Sequence, residues 1–377
     1  MRFATCFILV LFSFLVGRSE GRLFSKGFLR SQTITLADVP VEERFPNLGQ
    51  FGVKLSILGN WCAITETELF SGESNVHLFR KKGRTSASSE PWSWSQTIHG
   101  LFGDIHLHGR TLLTCRADYG GLQEYRLVNG VWQEFGEPIA ELWGAMEFEG
   151  DGRKLVAGMG NSFSSGSRNL WALNFTGRHG WKAEKVASVN VDGSFQFDRE
   201  GKQVIVAVNF GGEALRRYVR GRSGWYPSGI LESDSQAFPR ETGSFYNDRF
   251  ALRRGKVVGL RTFTDFLGAP LGSPSELSVF RLRAGKYEGI ANQETRGEHW
   301  GITSVGGLII LFGGTTDFLG NPTTGELEIY GASLRPIAVE NVDAQVVDAS
   351  GRWLIVSDST VDFLGNPVGG TVTIFRR

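Results

Sequence analysis

Polar and apolar positions alternate along most of this chain in short runs of four to eight residues, and each run stops at Gly, Asp or Asn. That period of two is the signature of a half-buried strand. The runs recur in a fixed order. A short alternating segment comes first, then a tight turn, then a more continuous apolar run such as "GLIILF" or "GRWLIV". After a polar loop follows an alternating segment ending in an aromatic, as in "NVHLFR", "ELSVFRL", "ELEIYGA" and "TVTIFRR". A fourth segment opens on an aromatic in "PWSWSQTI", "GVWQEFGEPI", "HGWKAEKV" and "SGWYPSGIL". The second segment is apolar on both faces, so it is expected to be the most buried strand.

The order repeats from starts near residues 51, 102, 143, 192, 242, 300 and 343. The mean spacing is about 49 residues, the length of one propeller blade of four strands. Three near-copies mark the loop before the third strand of the last units: "TDFLGAPLGSPSELSVF" from Thr264, "TDFLGNPTTGELEIY" from Thr316 and "VDFLGNPVGGTVTIF" from Val361. The last unit ends at Arg377, after its third strand. "SQTI" at Ser31–Ile34 repeats "SQTI" at Ser95–Ile98, where a fourth strand ends. The segment at about 27–36 is therefore expected to supply the missing strand and close the ring. The expected fold is all-β: a seven-bladed β-propeller of four-stranded antiparallel blades, one domain over residues 22–377, its last blade closed by the N-terminal strand.

Composition agrees with many short strands and tight turns: 50 Gly, 12% aromatics and no long helix-forming runs. Forty basic and 39 acidic residues give a net charge of +1, so nucleic acid is not an expected partner. Residues 1–21 carry Arg2, a short apolar run from Phe7 to Val16, and small residues Ser19 and Gly21. This reads as a secretory signal peptide rather than a membrane span, and the expected location is extracellular. Cys62 and Cys115 remain after it, either bonded to each other or buried as two small side chains. "NFT" at Asn174 is a glycosylation sequon.

The unit starts Phe51-Gly52 and Phe102-Gly103, with Trp143-Gly144 and Trp300-Gly301, resemble the FG-GAP repeats of the integrin-α N-terminal propeller. The Asp-x-x-Gly-Asn loop before Gly370–Phe375 and the aromatic fourth strands at Trp94 and Trp132 add to the likeness, which spans roughly residues 22–377. The resemblance implies a seven-bladed extracellular binding propeller. The full calcium loop of that family, with acidic residues alternating toward a Gly, is absent. "DREG" at Asp198 and "DASG" at Asp348 read as hairpin turns.

Asp265, Asp317 and Asp362 are the weak metal candidates. Each loop offers one carboxylate where Ca²⁺ takes about six to eight oxygens, so the expectation is a turn-capping Asp and no cofactor, with Ca²⁺ as the open alternative. His106 and His108 share one strand face, but two imidazoles are too few for zinc. Gly158–Gly166 is Gly-rich without a following helix, so it is no phosphate cradle. Arg216, Arg217, Arg220 and Arg222 form a solvated strand face or an acidic-glycan site. No catalytic motif stands in a fitting context. The expected function is a monomeric binding scaffold that meets a protein or glycan through loops on one ring face. The alternative is an extracellular hydrolase or lyase acting on carbohydrate or phosphoester.

Overall fold

The computed structural model describes residues 28–46, 49–68, 71–81, 91–118, 121–142, 146–159, 166–191, 196–210, 213–232, 245–264, 274–299, 301–305, 308–316, 322–331, 335–340, 342, 344, 346–361 and 367–377. Residues 1–27 and the loops holding Asp265, Asp317 and Asp362 lie outside this set.

The described chain is all-β, with three short 3-10 turns and no α-helix among the described residues. Among the described residues no helix is long and apolar enough to cross a membrane. Antiparallel strands follow one another in sets of four, such as Met146–Asp151, Lys154–Met159, Gly166–Phe175 and Trp181–Val191. Two joints merge neighbouring sets. Trp92–His108 runs 17 residues, pairing with Ser74–Lys81 through its first half and with Thr111–Arg116 through its second. The outer strands Trp225–Glu232 and Lys286–Glu294 meet in parallel at Ile230 and Lys286, where the Ile230 N–H donates to Gly285 O at 3.0 Å.

The first strands of successive sets touch in order: Gly49–Leu58, Trp92–His108, Met146–Asp151, Phe197–Glu200, Phe245–Arg253, Gly301–Val305 and Val346–Ser350, which returns to Gly49–Leu58. The arrangement is propeller-like. The core lies between sheets. Phe51, Ile57, Cys62 and Phe79 of one set pack on Trp353, Ile355, Val372 and Ile374 of another. Leu113, Cys115 and Leu122 pack on Phe148, Leu155 and Leu173.

Leu29–Thr35 pairs antiparallel with Pro367–Arg376, Thr33 opposite Thr373 and Ile34 opposite Val372. The repeated "SQTI" has a structural reason at three of its four letters. Ser31 and Ser95 fall at the register shift of their strands and are left unpaired. Gln32 clasps the backbone of Trp92, with Nε2 donating to Trp92 O at 3.0 Å and the Trp92 N–H donating to Oε1 at 2.7 Å. Gln96 clasps Trp132 in the same way, at 2.9 and 2.8 Å. Ile34 and Ile98 enter the core. The clasped tryptophans pack edge-on against the second strand of the adjacent set, Trp92 on Trp353 and Trp132 on Trp61.

The Phe-Gly pairs are irregularities in the first strands. Pairing jumps between Phe51 and Leu55 and again between Phe102 and Ile105. Gly52 sits at φ 83°, and a Cβ there would lie 2.9 Å from Ser357 Cβ, so only glycine fits.

Cys62 and Cys115 are free and buried, each in a different inter-sheet cluster, so no bridge joins them. Burial pushes the Cys115 thiol up to about 12 and Cys62 well above its ordinary value. Neither thiol is expected to react with a maleimide until the protein unfolds. Labelling followed by mass spectrometry in native buffer and in denaturant checks this.

Candidate functional site

Five of the first strands converge on a cavity of about 290 Å³. Strand geometry builds it, because residues two apart on one strand face the same side. Gly49–Leu58 contributes Lys54 and Ser56, Trp92–His108 contributes Asp104 and His106, and Met146–Asp151 contributes Glu149. Thr303, Ser304 and Asp348 complete the polar wall, with Phe148 and Phe312 as apolar surface.

Several of these groups hold the ring together. Asp348 Oδ2 accepts from the Ile57 N–H at 2.8 Å, while its Oδ1 accepts from Ala349 N–H at 2.7 Å. Asp198 does the same on the strand Phe197–Glu200, accepting from Leu252 and Arg199 N–H groups. Asp104 accepts from Phe148 and Ile105 N–H groups at 3.0 and 2.9 Å. Ser56 Oγ accepts from Leu107 N–H at 3.0 Å. In each case a side chain on one first strand takes a backbone proton from the next. This corrects the reading of Asp198 and Asp348 as turn residues. Both lie on strands, Phe197–Glu200 and Val346–Ser350, and the turns come after them, with Gly201 and Gly351 at positive φ.

Two groups are left over. Lys54 Nζ and the Glu149 carboxyl hold no hydrogen bond or ion pair within the described residues. Asp104, then Glu147 and Glu149, hold the Lys54 ammonium above its ordinary value against the opposing effect of burial. Enclosure by the strands, then Asp198, Asp104 and Glu147, pushes Glu149 well above the usual carboxylate range. Its side chain still reaches channel solvent, which moderates the effect. Burial pushes Asp198 and Asp348 up to about 7, even though each accepts two backbone N–H groups.

These last shifts set a pH dependence. An acid whose folded value is raised binds its proton more tightly when folded, so stability falls as pH rises. The window lies between the ordinary value of 3.8 and about 7. Burial also pushes Glu328 up, but hydrogen bonds from His299, Tyr330 and the Arg296 N–H outweigh it, and its net shift is downward. It costs stability only below its ordinary 4.5. Urea midpoints are therefore expected to rise from pH 7.5 to pH 5.5, and Asp348→Asn is expected to flatten that rise.

The other sequence candidates scatter. His106 lines the cavity, but its Nε2 is held by Gly152 O at 2.9 Å, and both His106 and His108 stack edge-on against Trp181. Three of the four arginines are occupied within the chain: Arg216 on Glu213, Arg217 on Gln203 and Ser228, Arg220 on Glu184. Asn174 is half-buried, its Oδ1 accepting from Arg199 Nη2 at 2.6 Å. Lys54 and Glu149 were missed because no local motif links them; only the alternation of their strands could have placed them inside.

No family model matches the chain. No curated protein matches it in sequence. Among solved structures it is similar to the β-propeller domain of the Trilobed protease from Pyrococcus furiosus, at 9% identity over 88% of this chain and 94% of that one, with a TM-score of 0.49. A protein from Lactobacillus plantarum matches at 9% identity over 78% and 84%, TM-score 0.48. Prolyl oligopeptidase B from Galerina marginata matches at 11% over 87% of this chain and 46% of that one, TM-score 0.48. Each is a distant likeness, and nothing about the chemistry of this chain rests on it.

Proposed function

We propose that this chain is a seven-bladed β-propeller, exported from the cell and monomeric, that serves as a binding scaffold and takes its ligand at the mouth of the central channel. The circuit of first-strand contacts and the pairing of Leu29–Thr35 with Pro367–Arg376 support the ring. One observation carries the binding site: strands far apart in sequence converge on Lys54 and Glu149, charged groups that hold no hydrogen bond or ion pair among the described residues. A glycan, or a protein presenting one, is the partner class, since the wall mixes donors, acceptors and two aromatic rings. The test is a glycan array probed with the mature protein and with Lys54→Met. The variant is expected to lose at least tenfold in binding. Binding that Lys54→Met leaves intact assigns recognition to the rim loops and sinks the channel reading.

A second reading, a hydrolase acting on carbohydrate, draws on one feature. A carboxyl held above its usual range is what a general acid requires, and Glu149 is such a group. Turnover of aryl glycosides that Glu149→Gln abolishes would support it; turnover unchanged in that variant would remove it.

A further inference from the structure

We propose that the channel selects an amine-bearing polyol of monosaccharide size and rejects phosphorylated sugars, an inference that rests on the channel being the ligand site. The wall sorts into committed and uncommitted groups. Asp104, Asp348 and Ser56 face the cavity but give their acceptor atoms to backbone N–H groups of neighbouring strands. Their charge, however, still acts on the cavity. Asp104, Glu149 and Asp348 oppose Lys54 alone among the lining residues. Behind them, Glu147 acts on both Lys54 and Arg249, and Asp198 acts on Glu149. Carboxylates therefore outnumber the cations that face them.

Crowded and enclosed, these carboxyls hold protons more tightly than usual, Glu149 well above its ordinary value and Asp348 up to about 7, and an arriving counter-charge lets them ionise. The channel walls also focus that field on whatever enters. A second ammonium near Glu149 and Asp348 supplies the counter-charge, while Lys54 and the hydroxyls of Thr303 and Ser304 meet the ligand's hydroxyls. A phosphate brings about two more negative charges into the same field and is repelled. Size narrows the class further. About 290 Å³ lies at the small end of ligand pockets. One six-membered ring fits there with its apolar face on Phe312.

Titration calorimetry of the full mature protein at low salt tests this, with glucosamine, glucose and glucose 6-phosphate as probes. Three proteins are compared: wild type, Glu149→Gln, and Ser304→Trp, which fills the cavity. Matching circular dichroism and melting curves establish that the variants are folded. Glucosamine is expected to bind wild type at least tenfold more tightly than glucose, with no heat from glucose 6-phosphate. Glu149→Gln is expected to bring glucosamine down to the level of glucose. Ser304→Trp is expected to abolish both. If glucose 6-phosphate binds as well as glucosamine, or if Glu149→Gln leaves the ratio unchanged while Ser304→Trp removes binding, the charge selection is wrong and the channel site stands. If none of the probes binds, or if binding survives Ser304→Trp, the channel site fails and this inference fails with it.

Discussion

Deleting residues 28–35 is expected to abolish cooperative folding. The segment pairs along Pro367–Arg376 from Leu29 to Thr35 and covers an edge that otherwise stays open. It also carries Ile34, fully buried against Phe51 and Ile374, and Phe28, buried against Phe375. The Gln32 clasp on Trp92 goes with it, which frees the adjacent sheet as well. Losing two buried apolar side chains alone costs on the order of 5 kcal/mol or more, comparable with the whole stability of an ordinary domain. The truncated protein is expected to aggregate on expression, and a synthetic peptide of residues 27–36 added during refolding is expected to restore soluble material. Ile34→Ala is the graded version, with a cost of about 2–4 kcal/mol by chemical denaturation. A truncated chain that melts like the full one would show that the two ends do not hold the structure closed.

Arg199→Met is expected to be nearly as damaging, by about 3–5 kcal/mol. Arg199 is 4% exposed on the strand Phe197–Glu200, yet its guanidinium reaches into the preceding sheet. There Nη1 donates to Leu155 O and to Leu173 O, and Nη2 donates to Asn174 Oδ1, while Nε donates to Gly201 O. Trp225 lies 5.5 Å from the guanidinium on the other side. Burial lowers this group to about 10, so it remains charged at neutral pH. Methionine fills similar space but takes the charged donor away from both carbonyls and from Asn174 Oδ1. Arg199→Lys is expected to recover only part of the loss, since one ammonium cannot span acceptors on two strands. Urea denaturation of the three proteins measures both effects. A cost below 1 kcal/mol for Arg199→Met would mean that water replaces the guanidinium.

Much of the strand order was legible because it is local. Alternation, glycine turns and the aromatic opening of the fourth strand are each written within ten residues. The pairing of "SQTI" at Ser31 was readable for a different reason: a second copy at Ser95 showed what the motif does inside a complete sheet. The roles of Asp198 and Asp348 were not legible. A carboxylate that caps its own turn and one that accepts from the next sheet look alike in sequence when a glycine follows two or three residues later. The candidate site was illegible for a stronger reason. Lys54 and Glu149 stand 95 residues apart, and only closure of the ring brings them to one cavity. The partners of the arginines in "RRYVRGR" were only partly legible: Glu213 lies three residues before Arg216 on the same strand, but Glu184 and Gln203 come from other strands.

The unpaired residue at Ser31 and Ser95 has counterparts on other outermost strands. Pairing skips Val186, Ser228, Ile290 and Ile337 at matching positions. Such an insertion bends the strand and sharpens its twist. A protein built so largely of sheet presents many rims to its surroundings, and a straight rim would template the addition of a foreign strand. Kinked rims deny a second molecule that straight ladder, so concentrated solutions are protected from rim-to-rim growth by the same irregularity that precedes Gln32 and Gln96.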